Sequence, residues 1–239
     1  FRDFFMNVCI LTQYYPPEIG APQARLSELA TYFKENDHDV TVLTSIPNYP
    51  TGKIFSGYGR FFKTETLNNI KVIMSYIYPS ISLKMIPRLW NYFSFVISSI
   101  IVGIFKLPKC DILITESPPL FLGISGYVLS KIKRAKWIFN VSDLWPESAV
   151  HLGIVKKSVS LDLAFTLERF CYNKAWLITG QSREIVNDIN KRFPNIKTYH
   201  LSNGVNVELF SPMNRSDMLR NKLKFGNKCV AIYAGLHGM

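Results

Sequence analysis

Apolar positions along this chain gather into short dense runs that alternate with longer stretches apolar on one side only. Asn7-Val8-Cys9-Ile10-Leu11-Thr12 is almost wholly apolar, the pattern of a strand buried on both faces. Leu26, Leu29, Ala30 and Phe33 then recur at i, i+3, i+4, i+7, predicting an amphipathic helix, and Asp39–Thr44 supplies the next strand. Further strands are expected at Ile70–Ile77, Asp111–Thr115, Lys136–Val141, Ala175–Thr179 and Lys197–Leu201. Helices are expected at Ile86–Phe105, Pro119–Lys131, Ser158–Asn173 and Arg183–Lys191. In the third of these, Leu163, Leu167, Phe170 and Cys171 read as the core stripe. Such alternation predicts an α/β fold, a Rossmann-like parallel sheet with helices on both faces. Ligands of such sheets sit beyond the carboxyl ends of the strands. The segments expected there are 13–20, 45–52, 116–119, 142–147, 180–182 and 202–206.

The first of these segments is unusual. Gln13 through Pro22 holds Pro16, Pro17, Gly20 and Pro22, which break regular structure, and Pro22 suits the first turn of the helix that follows. A glycine between a strand and a helix N-terminus lets backbone N–H groups and the helix dipole face an anion, typically a phosphate. A plain βα connection is the alternative. Lone Gly20 is not the G-x-G-x-x-G of a dinucleotide fold, and the second strand runs into Thr44-Ser45-Ile46-Pro47 without an acidic residue for a ribose, so an NAD-dependent oxidoreductase is excluded. With no G-x-x-x-x-G-K-[ST], a P-loop nucleotidase is excluded too.

A boundary is expected after the last of these strands. Ser202-Asn203-Gly204-Val205-Asn206 is turn chemistry, Ser211-Pro212 blocks a helix, and a short polar helix at Ser216–Lys224 leads to an apolar run at Lys228–Ala234. Gly235-Leu236-His237-Gly238 follows. The organisation read here is a first domain over 6–206, a linker over 207–227, and over 228–239 the first strand and glycine loop of a truncated second domain. The chain opens Phe1-Arg2-Asp3-Phe4-Phe5 before Met6, which reads as the native start. Uncharged Leu89–Phe105 lies at the low limit for crossing a bilayer. Trp90, Phe93, Ile97, Ile100, Ile101 and Ile104 form one face, Asn91, Ser94 and Ser98 a thin polar stripe. A buried or domain-edge helix, a membrane-surface helix and a span all remain open.

The formal charge is +11, from 28 basic and 17 acidic residues, which points to anionic partners. No nucleic-acid-binding signature accompanies the basic clusters, so phosphorylated substrates or anionic lipid are expected instead. Cys9, Cys110, Cys171 and Cys229 are far apart in sequence and read as thiols of a reducing compartment. The four histidines show no ligand spacing, and no metal site or cofactor is expected. A cleavage site for a secretory signal is missing after Leu11, and the reading is cytoplasmic.

Five motifs in order carry a resemblance: Pro16-Pro17-Glu18-Ile19-Gly20-Ala21, Asp37-His38-Asp39-Val40-Thr41-Val42-Leu43-Thr44, Ser142-Asp143-Leu144-Trp145-Pro146-Glu147-Ser148, Ile178-Thr179-Gly180-Gln181-Ser182 and Ser202-Asn203-Gly204-Val205-Asn206. Together they resemble family 4 glycosyltransferases, retaining enzymes of the GT-B fold, and most of all the branch with the fucosamine transferases of O-antigen and colanic-acid assembly. The resemblance runs over nearly the whole chain from Met6. It implies the acceptor-side half of an enzyme that moves a sugar from a nucleotide-sugar donor, UDP-linked, to a lipid-linked saccharide at the inner face of the plasma membrane. It also implies a second Rossmann-like domain carrying the donor-phosphate cations and a Glu pair. Asp143 falls where a family side chain contacts the donor sugar, with a helix cap as its bland alternative. Gly20 and Ala21 fall at the donor diphosphate. Ala21 replaces a usual second glycine, a place where a positive φ would strain it. Glu116 and Trp145 are acceptor-side candidates, and Ser182, Asn203 and Gly204 lie at the hinge or cleft, where Ser182 could equally cap a helix. A non-catalytic binding module or an inactive fragment is the competing reading.

Overall fold

Eight strands form one sheet in the order β3-β4-β2-β1-β5-β6-β7-β8. They are β1 (Asn7–Leu11), β2 (Asp39–Ser45), β3 (Phe62–Leu67), β4 (Ile70–Ser75), β5 (Ile112–Ser117), β6 (Lys136–Val141), β7 (Leu177–Gly180) and β8 (Thr198–His200). The computed structural model describes residues 5–82, 84–151, 159–204, 207 and 216–232. Two compact units divide the chain, 1–204 and 205–239, and the sheet belongs to the first.

Every described pairing is parallel except β3 with β4. That hairpin, not expected from the sequence, turns on Asn68 and Asn69, both at positive φ (50° and 61°). Two residues in the left-handed region make the mirror-image turn whose twist matches paired strands. β3 escaped notice because Phe62-Lys63-Thr64-Glu65-Thr66-Leu67 is a half-exposed edge strand without an apolar run.

The helices are α1 (Ala21–Glu35), α2 (Met85–Lys106), α3 (Leu122–Lys133), α4 (Glu147–His151), α5 (Val159–Lys174) and α6 (Arg183–Arg192), with α7 (Asp217–Lys222) in the second unit. Side chains alternate across a strand. Val8 and Ile10 of β1 therefore join Leu26 and Ala30 of α1 on one face of the sheet. Cys9 and Leu11 join Phe95 and Val102 of α2 and Leu129 of α3 on the other. Helices thus cover both faces, as expected.

One stripe departs from expectation, and the side taken by another, left open by the sequence, is settled. In α5, Leu163 stands exposed, while Leu161, Ala164, Glu168, Cys171 and Tyr172 are buried. Glu168 holds its place in that stripe because Arg192 of α6 bonds both its oxygens at 3.0 Å. In α2, Asn91, Ser98 and Ser99 face inward and Trp90 and Ile97 outward. In the second unit, Lys228–Ile232 forms no strand, since no described segment completes a hydrogen-bond ladder with it. The glycine loop expected at 235–238 lies outside the described residues, as do Val205 and Asn206.

Candidate functional site

From β1 the chain moves to β2 and β4, then returns through α2 to β5 on the opposite side of β1. The order reverses between β1 and β5. A crevice opens past the carboxyl ends of strands at such a reversal, the usual ligand position in open parallel sheets.

Glu116, near the end of β5, is the centre of a buried polar network at this edge. Its Oε1 accepts from Arg25 Nη2 of α1 at 2.6 Å and from the Ser142 hydroxyl. Its Oε2 accepts from Asn140 Nδ2 at 2.6 Å, and Asn140 Oδ1 accepts from Thr179 Oγ1 at 2.6 Å. Arg25 Nη2 also donates to Ser142 Oγ at 3.0 Å. The Gln181 amide is assigned with its oxygen toward Ser142 and 3.0 Å from Arg25 Nε and Nη2, which places its nitrogen 3.3 Å from the Asn203 amide. His200 Nε2 is 3.3 Å from the Gln181 carbonyl. One connected set of side chains therefore ties α1 to the ends of β5, β6, β7 and β8. Glu116 is 3% exposed and has all these donors around it, so it turns toward the protein and not toward a ligand.

Asp143 follows Ser142 directly and is exposed at this edge, its backbone carbonyl accepting from Trp145 N at 2.9 Å. Trp145 is half-buried, its ring 6.2 Å from Phe121, which lies 4.9 Å from Phe93 of α2. Ser182 caps α6, its hydroxyl accepting from Ile185 N at 3.2 Å. Asn203 and Gly204 are exposed beyond β8.

Gly20 is the N-cap of α1 in extended backbone (φ 170°), and no side chain caps that helix. Ala21 begins the helix and is not among the residues at positive φ, so the expected strain is not found. A Cβ at Gly20 would meet Gln23 Oε1 at 2.5 Å, the end of a side chain that would have to turn aside. Glu18, in the same loop, is buried, and its Oε1 accepts from the backbone N–H groups of Asn48 and Tyr49 at 2.7 and 2.8 Å. Its Oε2 accepts from Gln23 Nε2 at 3.3 Å. Burial raises its carboxyl above the usual range, partly offset by these donors.

No protein-family model matches the chain. Among solved structures it is similar to sucrose-phosphate synthase from Thermosynechococcus elongatus, with a TM-score of 0.59 and 15% identity over 91% of this chain and 52% of that one. It is likewise similar to Anabaena HepE, solved in complex with UDP-glucose, with a TM-score of 0.56 and 15% identity over 93% of this chain and 50% of that one. The chain folds as the Rossmann-like half of a GT-B glycosyltransferase. A curated relative, described as a colanic acid biosynthesis glycosyl transferase, WcaI, of Escherichia coli (strain K12), is 23% identical over 238 residues. That alignment spans 96% of this chain and 58% of the relative.

From the sequence, Glu116, Asp143, Trp145 and Asn203 were expected at this edge, whereas Arg25 and Asn140 lay in no motif, and Glu18 and Thr179 lay in motifs without an assigned role. Gln181 and Ser142 lay in quoted motifs without a role. Arg25 had a usable signal, since it stands one residue before Leu26 on a helix otherwise read only for its apolar stripe.

Proposed function

We propose that this chain is the acceptor-side domain of a retaining glycosyltransferase that moves a sugar from a UDP-linked donor to a lipid-linked saccharide in cell-surface polysaccharide assembly. It works at the cytoplasmic face of the plasma membrane. The observation that carries this reading is the exposed Asp143 carboxylate at the sheet's reversal edge, beside a buried network that fixes its neighbours Ser142 and Asn140.

Glycosyl transfer needs an acceptor hydroxyl held at the anomeric carbon and a departing diphosphate whose charge is met by preorganised donors. The open N-terminus of α1 at Gly20 and Ala21 offers backbone N–H groups to that diphosphate. Asp143 accepts hydrogen bonds from sugar hydroxyls, and Trp145 gives an apolar ring face for a sugar to lie against. Arg25 and Glu116 are positioning residues that keep the edge in register. The second Rossmann-like domain implied by the resemblance supplies most of the donor contacts, since one helix terminus leaves a diphosphate largely in water, where charge stabilisation is weak.

Calorimetric titration of UDP-glucose into residues 1–239, and into the same residues joined to such a second domain, tests this division. Tight binding only by the joined protein is expected. Micromolar binding by 1–239 alone would put the donor site on this half. Absence of binding by both would favour a non-catalytic binding module.

A further inference from the structure

Helix α2 is built inside out for a surface helix. Its uncharged polar residues are spent inward. Asn91 Nδ2 donates to the Tyr78 carbonyl at 2.7 Å and Asn91 Oδ1 accepts from Gln13 Nε2 at 3.1 Å. Ser99 meets Ser125 of α3 at 2.9 Å, and Ser94 Oγ accepts from Tyr78 N at 2.7 Å. Outward stand Ile86, Trp90, Ile97, Ile101 and Phe105, a stripe along the full helix, with Trp90 64% and Phe105 78% exposed. A helix of a water-soluble domain normally shows the reverse. A continuous exposed apolar strip of this length marks a contact surface. At its N-terminal half, Ile86, Leu89, Trp90 and Phe93 line an apolar pocket of about 330 Å³.

We propose that this stripe is the face by which the domain lies on an anionic lipid surface. Charge selects the occupant. From Thr66 to Cys110 there is no Asp or Glu, and exposed Lys84, Arg88 and Lys106 stand at the two ends of the stripe. A rim of one sign repels a second copy of the same face and attracts acidic headgroups. Trp90 is of the type that settles at the headgroup layer. The helix does not cross the bilayer, because its other side is committed: Phe95, Val96 and Val102 are buried together with Ser98 and Ser99. Its C-terminus is also pinned, with Lys133 Nζ of α3 donating to the Ile104 and Leu107 carbonyls at 2.9 and 2.7 Å.

The placement serves the site. Contacts between Phe93 and Phe121 and between Phe121 and Trp145 run from the lipid-facing helix to the edge that holds Asp143. This last link rests on the proposed function, because it brings a lipid-linked acceptor to the carboxylate edge from the bilayer side.

Flotation of residues 1–239 with vesicles of phosphatidylcholine, alone and mixed with phosphatidylglycerol, tests the proposal. Trp90→Gln/Ile97→Gln removes apolar contact at exposed positions, and Lys84→Glu/Arg88→Glu reverses the rim; circular dichroism checks the fold of each. Flotation with the mixed vesicles is expected, falling more than about tenfold in each variant and dropping with salt. Flotation unchanged in Trp90→Gln/Ile97→Gln would overturn the proposal in favour of diffuse charge. Binding that resists carbonate would mean insertion and overturn it too. Concentration-dependent association in sedimentation without flotation would assign the stripe to a second copy. Only lipid binding is read, so failure here leaves the sugar-transfer reading to the titration above.

Discussion

Arg25→Ala is the sharpest probe of the edge network. The Arg25–Glu116 pair spans 2.6 Å, and the two side chains are 13% and 3% exposed. Removing one partner of a buried pair leaves an uncompensated charge and costs about 3–5 kcal/mol. Asn140 and Ser142 still donate to Glu116 in the variant, and Arg25 keeps some contact with water, so the lower end, about 3 kcal/mol, is expected. For a unit of this size each kcal/mol moves Tm by roughly 2–4 °C, giving a drop of roughly 6–12 °C. Lys34→Ala is the internal control. Its pair with Asp39 spans 3.3 Å between side chains 40% and 62% exposed, the kind of surface pair worth about 0–1 kcal/mol. Adding Glu116→Gln to Arg25→Ala removes the stranded charge and should recover about 1–2 kcal/mol. Urea unfolding followed by circular dichroism measures the wild type, Arg25→Ala, Lys34→Ala, Glu116→Gln and the double variant. An Arg25→Ala cost below about 1 kcal/mol, or a double variant weaker than the sum of the two single changes, would refute the network as drawn.

Three further outcomes follow from named contacts. With the donor domain joined, Asp143→Asn should cut turnover by roughly a hundredfold or more while stability stays within about 0.5 kcal/mol, because the side chain is exposed; near-normal turnover would leave Asp143 without a role in transfer. Burial raises the Glu18 carboxyl, so the stability it contributes is whole below its unfolded value and lost as pH rises through the folded one. Glu18→Gln should therefore remove part of the wild type's loss between acid and neutral pH, and parallel stability curves for the two proteins would contradict this. Gly126→Ala would put a Cβ 2.2 Å from Thr115 Oγ1 and 2.7 Å from Trp137 Nε1. Overpacking of roughly 1–3 kcal/mol should outweigh the gain in helix propensity of about 1 kcal/mol, and a stabilised variant in denaturant would count against the close approach of α3 to the sheet.

The parallel strands were legible because burial on both faces favours short apolar runs, as at Val8–Leu11 and Trp137–Phe139. Helix periods were legible too, but a period defines faces without saying which one meets the sheet. That is why the side taken by the long apolar stripe of α2 stayed open, and why Leu163 was assigned to the core stripe of α5 although it stands exposed. Glu168 could not be read as a core residue, since its burial depends on Arg192, placed beside it only by the packing of α6. The same holds at the edge. Asp143 and Asn203 were visible because each lies within three residues of a strand's carboxyl end, a local fact. The Arg25–Glu116 pair joins residues 91 positions apart, and topology alone brings them together.

The proposed role, presenting an acceptor to a nucleotide-sugar donor, is tested at the product. The test incubates the chain, joined to a second Rossmann-like domain of a relative, with a UDP-sugar and a lipid-linked saccharide in anionic vesicles, and follows the anomeric proton of the product by NMR. A new glycosidic linkage with the donor's anomeric configuration retained is expected, strongly reduced by Asp143→Asn. A folded, UDP-binding protein that transfers no sugar, or one that inverts the configuration, would contradict it.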